Sequence, residues 1–314
     1  MAKKFAFLFP GQGSQSVGML DAFAQNDSTS DIYQECVTCA DSALGEDLSG
    51  LIAQGPQDNL NLTVNTQPAM LLSAVVAYRA WVAKGGPSPA MVAGHSLGEY
   101  SALVAAGGLP LDQAVRLVRI RAQAMQDAVP VGEGGMAAIL GLSDADVIEL
   151  CQQITHEGAL VEPVNFNAPA QVVVAGTVTG IEKICIAAKG KGAKRAVPLT
   201  VSAPFHSSLL KPAASTLQQA LEKHPLTDLQ IPVVTNVDVR VETSAQALSD
   251  ALVRQAYSPV RWVESIQKME QEGIELFVEC GPGKVLAGLV KRICDVPVMN
   301  ISNPDQIQDV LNAI

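Results

Sequence analysis

Short apolar runs alternate with longer segments of helical periodicity along most of the chain. Phe5–Phe9 is one apolar run, which ends at Pro10, and residues 90–93 form another, which ends at Gly94. Residues 111–128 have apolar side chains at spacings of three and four. Strands that alternate with helices pair in parallel and carry the helices on the faces of the sheet. The chain is therefore predicted to fold as an α/β protein with a parallel sheet.

The remaining predicted elements of this sheet and its helices follow the same alternation. Further helices are expected at 68–84, 97–106, 244–257 and 261–272, and further strands at 231–237 and 276–279.

The middle of the chain has a different order of elements. Strands are predicted at 136–142, 160–165, 171–175 and 195–199, with helices at 143–154 and 180–189 between them. This βαββαβ order is the ferredoxin-like motif. We therefore predict a ferredoxin-like subdomain at residues 131–200, inserted into a catalytic domain made of residues 1–130 and 201–314.

Charge and hydropathy limit the partners. The formal net charge of −10 argues against a nucleic-acid partner, which basic side chains would have to hold through phosphates. The longest apolar stretch, residues 71–83, contains Arg79 and is shorter than the roughly 18 residues of a membrane span. The apolar run after Lys3 and Lys4 ends at Pro10, too early for an export signal. We expect a cytoplasmic location and no membrane partner.

Six cysteines are scattered along the chain. Cys36 and Cys39 form a Cys-x-x-Cys pair inside a helical pattern, and no second Cys or His pair is placed to complete a zinc site. Small buried thiols and no metal are expected.

Gly94-His95-Ser96-Leu97-Gly98 is the strongest chemical signal in the sequence. The motif lies between a predicted strand and a predicted helix, so the chain must turn sharply there, and the two glycines avoid a Cβ clash. Such a turn exposes the serine hydroxyl at the N-terminus of a helix, where free N–H groups can hold a developing oxyanion. Ser96 is therefore predicted to be a nucleophile.

A serine nucleophile needs a base, and the chain has four histidines. His95 adjoins Ser96 and points elsewhere at a tight turn, while His156 and His224 lie in polar contexts at helix ends. His206 lies in a loop downstream of the serine, which is the order found in hydrolase-type sheets. By elimination His206 is the predicted base.

The group that orients His206 stays open at this level, because no Asp stands at an obvious strand end. A backbone carbonyl or an amide side chain would fix the tautomer. On the helix at 111–128, Arg116 and Arg119 lie near one another, whereas Arg121 points elsewhere and needs an explanation.

Taken together, these motifs resemble the malonyl-CoA:acyl carrier protein transacylase family. The resemblance covers essentially the whole chain and rests on segments in the family's order: FPGQGSQ at 9–15, GHSLGEY at 94–100, PVNFN at 163–167, PFHS at 204–207, LVRQ at 252–255 and ECGPG at 279–283. It implies a hydrolase-like large domain with a ferredoxin-like insert, in agreement with the element order.

The resemblance also implies roles for individual residues. Gln12 and the Leu97 amide would be oxyanion donors, Arg121 would bind the substrate carboxylate, and Gln255 would orient the histidine. The implied reaction is malonyl transfer from malonyl-CoA to acyl carrier protein through an acyl-serine, without a cofactor. Within PVNFN, the amides expected to bind substrate are Asn165 and Asn167.

Acyl carrier proteins are acidic, so a basic patch is expected to dock one. The chain offers two clusters: Lys189, Lys191, Lys194 and Arg195 on the insert, and Lys284, Lys291 and Arg292 near the C-terminus.

Two other functions fit the same nucleophile. One is a serine esterase or thioesterase, which needs neither Arg121 nor a carrier. The other is a discrete acyltransferase of a polyketide or malonate-decarboxylase pathway, which shares the chemistry.

Overall fold

The computed structural model describes residues 3–201 and 203–314. Met1, Ala2 and Ser202, which belong to the predicted catalytic domain, lie outside the described residues. The strands are β1 (Phe5–Phe9), β2 (Met91–Gly94), β3 (Gly134–Leu140), β4 (Val161–Ala168), β5 (Gln171–Thr177), β6 (Arg195–Pro198), β7 (Val233–Val234), β8 (Val241–Glu242), β9 (Leu276–Cys280) and β10 (Val298–Ile301).

Helices connect these strands. They are α1 (Asp21–Gln25), α2 (Ser30–Leu44), α3 (Leu48–Gln54), α4 (Gln57–Leu60), α5 (Thr63–Ala83), α6 (Gly98–Ala105), α7 (Leu111–Asp127), α8 (Asp144–His156), α9 (Val178–Gly190), α10 (Lys211–Lys223), α11 (Ala245–Gln255), α12 (Trp262–Gln271), α13 (Val285–Ile293) and α14 (Gln306–Ala313).

The large sheet has the order β10-β9-β1-β2-β7-β8, and its pairs are parallel except for β7 with β8. Side chains of β1 alternate between the two faces: Phe7 joins the core on one face, and Ala6 and Leu8 join the core on the other. Because both faces of the strand are buried, its sequence is a continuous apolar run. The predicted α/β class is confirmed.

The carboxyl ends of β1 and β2 lie side by side, because Phe9 pairs with Gly94 in the parallel register. The loop that follows β1 and the turn that follows β2 therefore open at the same edge of the sheet. This edge is where open α/β sheets bind their ligands.

Helix α5 packs on the face of the large sheet that carries Phe7, and its Tyr78 and Trp81 rings lie edge-on to the Phe7 ring. It begins at Thr63, whereas the sequence predicted a start at residue 68. Proline favours the first turn of a helix, which is consistent with a start at residue 68. The helix instead carries Pro68 one turn further in.

The second sheet is antiparallel, with the order β4-β5-β3-β6, and α8 and α9 pack on it. This is the predicted ferredoxin-like arrangement; its bounds at residues 131 and 200 stay a prediction. The Ser143 hydroxyl caps α8 by accepting a hydrogen bond from the Asp146 backbone amide. The two units are joined where Val260 bonds to β4, since its amide donates to Val164 and its carbonyl accepts from Phe166.

Strand β7 is much shorter than the predicted strand at 231–237. Only Val233 and Val234 pair in the sheet, and a tight turn follows in which the Val239 amide donates to the Thr235 carbonyl. This turn carries Asn236 to the edge where β2 ends. No helix in the described ranges is long and apolar enough to span a membrane.

All six cysteines are unpaired thiols. Cys36, Cys151, Cys185 and Cys280 are buried, and Cys39 and Cys294 are partly exposed.

Candidate active site

Ser96 sits in the turn between β2 and α6 with φ of 53°, a left-handed conformation that non-glycine residues adopt at a cost. Both flanking glycines are required for this turn. A Cβ on Gly94 would lie 1.9 Å from the Gly98 carbonyl oxygen, and one on Gly98 would lie 2.0 Å from the Phe9 carbonyl oxygen. The turn is therefore compressed against β1, and the Ser96 hydroxyl is presented to a cleft.

The cleft has a volume of about 230 Å³ and lies between the large sheet and the insert. Gln12 lines it from the loop after β1, Asn165 and Asn167 from β4, and Arg121 from α7.

His206 bonds to Ser96 in this cleft. Its Nε2 lies 2.7 Å from the Ser96 Oγ, and its Nδ1 lies 2.7 Å from the Gln255 carbonyl oxygen. A carbonyl only accepts, so Nδ1 carries the proton and Nε2 is left to accept the serine proton. Burial, and secondly the Arg121 charge, lower the pKa of His206 to about 3. The imidazole is therefore neutral near pH 7 and able to act as a base.

The other histidines are placed as the sequence indicated. His95 Nε2 lies 2.7 Å from the Asn167 Oδ1, and its ring packs edge-on against Trp262. His156 is exposed at the end of α8, and His224 is partly exposed after α10. Within the described ranges, none of these three rings bonds to the Ser96 hydroxyl.

Arg121 is buried, with 1% of its surface exposed. Its guanidinium donates to the Gln67 Oε1 at 2.7 Å, to the Gln255 Oε1 at 2.8 Å and to the Ser96 Oγ at 3.1 Å. It also lies over the Tyr100 ring, 5.4 Å from the centroid. Arg119, on the same helix, is half-buried and pairs with Glu46 instead, so Arg121 points elsewhere, as the helical spacing predicted.

Two backbone amides near Ser96 are available as donors. Leu97 immediately precedes α6, and Gln12 lies on the loop after β1. In the described part of the chain neither amide has a hydrogen-bond partner. The Ser96 amide, in contrast, is occupied, because it donates to the Asn236 Oδ1 at 2.7 Å. The arrangement can place an anion at the Leu97 and Gln12 amides.

Three buried polar residues of this network carried no role in the sequence reasoning. Asn236 ties the serine turn to the end of β2, because its Nδ2 donates to the Gly94 carbonyl at 2.7 Å. Glu99 accepts hydrogen bonds from the Asn236 backbone amide and from the Gln255 side-chain amide. Gln67 holds Arg121. Glu99 belongs to the GHSLGEY segment, and this membership could have identified it as a site residue. Nothing in the sequence distinguished Gln67 or Asn236.

One residue of each predicted basic cluster lies close in sequence to residues that line the cleft. β6 begins at Arg195 and leads into Leu199 and Val201, which line the cleft, and Lys284 precedes the cleft residue Val285. Lys191 already pairs with Asp146 and Glu149. Arg292 donates to the Pro169 carbonyl at 2.8 Å.

The fold and the site define the class of this protein as an acyltransferase. Residues 6–302 match the family model described as "Acyl transferase domain". The chain is 52% identical to the malonyl CoA-acyl carrier protein transacylase of Escherichia coli K12 over 93% of each chain. It belongs to the malonyl-CoA:acyl carrier protein transacylase family.

Solved structures agree with this assignment. The acyl-carrier-protein S-malonyltransferase of Burkholderia pseudomallei 1710b is 57% identical, covers 98% of this chain and 99% of its own, and has a TM-score of 0.95. A malonyl-transacylase in complex with its type II polyketide synthase acyl-carrier protein is 45% identical, with a TM-score of 0.95 over 99% of this chain and 100% of its own.

Proposed function

We propose that the protein transfers a malonyl group from malonyl-CoA to the phosphopantetheine thiol of an acyl carrier protein through a malonyl-serine. The observation that supports the proposal is the pair of hydrogen bonds made by the Ser96 hydroxyl. The Ser96 hydroxyl bonds to the neutral base His206 and, on its other side, to the buried guanidinium of Arg121. A nucleophile beside a buried cation suits an acyl group that carries its own carboxylate.

In the first half-reaction, the Ser96 Oγ attacks the thioester carbonyl carbon while its proton passes to the His206 Nε2. The carbonyl oxygen becomes an oxyanion that the Gln12 and Leu97 amides stabilise. When the tetrahedral intermediate collapses, the carbon–sulfur bond breaks and the His206 proton passes to the coenzyme A sulfur. The Gln255 carbonyl holds the Nδ1 proton throughout.

In the second half-reaction, the carrier thiol gives its proton to the His206 Nε2 and its sulfur attacks the malonyl-serine carbonyl. Collapse of the second intermediate breaks the carbon–Oγ bond, and His206 returns a proton to Ser96. Because both half-reactions use one site in turn, the kinetics are ping-pong.

Substrate choice is assigned to Arg121. Its two terminal nitrogens match a carboxylate in a bidentate pair, with Gln67 and Gln255 holding the guanidinium plane. An acyl group without a carboxylate leaves this buried cation without an anionic partner. Asn165 and Asn167, which line the cleft, are proposed to contact the rest of the substrate.

The carrier is proposed to dock at the basic residues beside the cleft. Exposed Lys284 and Lys291 of the C-terminal cluster, and Lys189, Lys194 and Arg195 of the insert cluster, form no ion pair within the described ranges. A structural relative bound to its carrier protein supports this kind of partner.

Intact-mass measurement of the protein after mixing with malonyl-CoA, and again after adding carrier protein, tests the proposal. The wild type should gain one malonyl group and then pass it to the carrier, and Ser96→Ala should gain none. A malonyl group found on Cys280 or another residue would overturn the mechanism. Free malonate without carrier would favour the thioesterase alternative. Comparing carriers of fatty-acid and polyketide synthesis distinguishes the pathways.

A further inference from the structure

Glu99 is a buried carboxylate that the proposed chemistry does not use. It lies in the first turn of α6, three residues after Ser96, and is 1% exposed. Its Oε2 accepts two hydrogen bonds, one from the Gln255 Nε2 at 2.9 Å and one from the Asn236 amide at 3.1 Å. Its Oε1 is buried and has no hydrogen-bond partner in the described part of the chain. Leaving a carboxylate in such a place is costly, so it needs a physical reason.

The two groups that Glu99 holds are both attached to the reacting residues. The Gln255 side chain also donates to the Ser96 carbonyl at 3.0 Å and accepts from Arg121, while the Gln255 carbonyl bonds to His206. Asn236 accepts from the Ser96 amide. One carboxylate oxygen therefore ties the end of α11 and the turn after β7 to the serine turn.

Few charged or titratable groups act on Glu99. Arg121 faces it from α7, Asp238 from the turn after β7, and Tyr100 adjoins it on α6. Glu99 forms no direct ion pair with Arg121 in the described ranges; the amide of Gln255 stands between the two charges, 2.8 Å from one and 2.9 Å from the other. Burial raises the pKa of Glu99 to about 7, and the hydrogen bonds from Gln255 and Asn236, followed by the Arg121 charge, counteract that rise.

We propose that Glu99 is a positioning residue that holds Gln255 and Asn236 against the Ser96 turn and balances the Arg121 charge until a substrate carboxylate pairs with Arg121 directly. This inference rests on the proposed function, since it requires an acyl group with a free carboxylate. Arg121 then faces two carboxylates, one on the substrate and one on Glu99, which repel each other.

The repulsion gives malonyl-CoA binding a pH dependence of known sign. Glu99 is neutral below its raised pKa and ionised above it, so malonyl-CoA binds more weakly as the pH rises through about 7. For two like charges roughly 10 Å apart at an effective dielectric constant of about 20, Coulomb's law gives an expected change in KM of about fifteenfold. Neutral Glu99 can still accept both hydrogen bonds at Oε2, so the maximal rate of serine malonylation should change little.

Rapid-quench measurement of serine malonylation from about pH 6 to about pH 8.5 separates the two roles. Glu99→Gln keeps an acceptor at the same place and removes the charge, so its KM for malonyl-CoA should be low and independent of pH. Glu99→Ala removes the acceptor as well, so the rate at saturating malonyl-CoA should fall by about tenfold or more, as expected when a buried hydrogen-bond partner is lost. Glu279→Gln is the matched control, because Glu279 is a fully buried carboxylate that accepts from the amides at the start of α13; this variant should keep the wild-type pH profile.

A Glu99→Gln variant with the wild-type pH dependence of KM would overturn the inference, and so would a folded Glu99→Ala variant with the wild-type maximal rate. If Glu99→Ala does not fold, Glu99→Gln alone decides. A wild type that takes no malonyl group at Ser96 would overturn the proposed function as well, so the two failures are distinguishable.

Discussion

Replacing Arg121 with alanine should abolish the preference for malonyl over acetyl groups. Arg121 is the one cationic side chain that the structure places against Ser96 among the described residues, because His206 is neutral near pH 7, and the Arg121 surface is 1% exposed. Because water does not solvate the guanidinium there, a carboxylate of the substrate that pairs with it gains a large electrostatic stabilisation.

The size of the effect follows from this burial. Breaking a buried charge pair by removing one partner costs about 3–5 kcal/mol. Since each 1.36 kcal/mol is a factor of ten in rate, kcat/KM for malonyl-CoA should fall by roughly 10²- to 10⁴-fold. Acetyl-CoA makes no such pair and loses only the help that Arg121 gives to Ser96 and Gln255. Its kcat/KM should therefore change much less, and the ratio of the two should collapse.

The assay is the initial rate of serine acylation from malonyl-CoA and from acetyl-CoA, followed by mass spectrometry. Arg119→Ala is the matched control, because Arg119 lies on the same helix and pairs with Glu46 at the surface; its selectivity should equal that of the wild type. An Arg121→Ala variant that still prefers malonyl by the wild-type ratio would refute the assignment.

The remaining predictions concern the base and the docking clusters. His206→Ala should slow both half-reactions by about 10²- to 10⁴-fold, the usual worth of general-base assistance, in single-turnover rates of loading and unloading. Burial lowers the pKa of His206 to about 3, so the imidazole stays neutral above that pH. The maximal loading rate should therefore be constant from about pH 5 to about pH 8. A loss of rate below about pH 6.5 would contradict the buried environment of His206. Replacing Lys284 and Lys291 with glutamate should raise the KM for carrier protein, more at low salt, and leave malonyl loading unchanged. The same test applied to Lys189, Lys194 and Arg195 compares the insert cluster, and unchanged KM values after reversal of both clusters would reject docking at either.

Much of the architecture could be predicted from the sequence because it depends on local patterns. The period of the apolar residues fixes whether a segment packs as a strand or a helix, and the order of these segments led to both the parallel sheet and the ferredoxin-like unit. The local pattern gave wrong boundaries at two elements. Pro68 was expected to begin its helix and lies inside it, and the strand at 231–237 ends early because the turn at Thr235 interrupts it.

The serine turn was likewise local. Two glycines around Ser96 are demanded by contacts within a few residues and with the adjacent strand, so the motif alone indicated the geometry that the structure has. His206 followed by elimination among four histidines, and its contact with Ser96 agrees with that reasoning. Their chemical roles, like those of Gln12, Leu97 and Arg121, stay predictions for experiment.

Only the tertiary structure decided what surrounds these residues. The group that orients His206 is the Gln255 backbone carbonyl, and because every residue has a carbonyl, no sequence pattern marks this one. Glu99 meets Asn236 and Gln255 across 137 and 156 residues of chain. Such contacts depend on how strands and helices pack, not on spacing along the chain. Burial, which lowers the pKa of both Arg121 and His206, has the same origin.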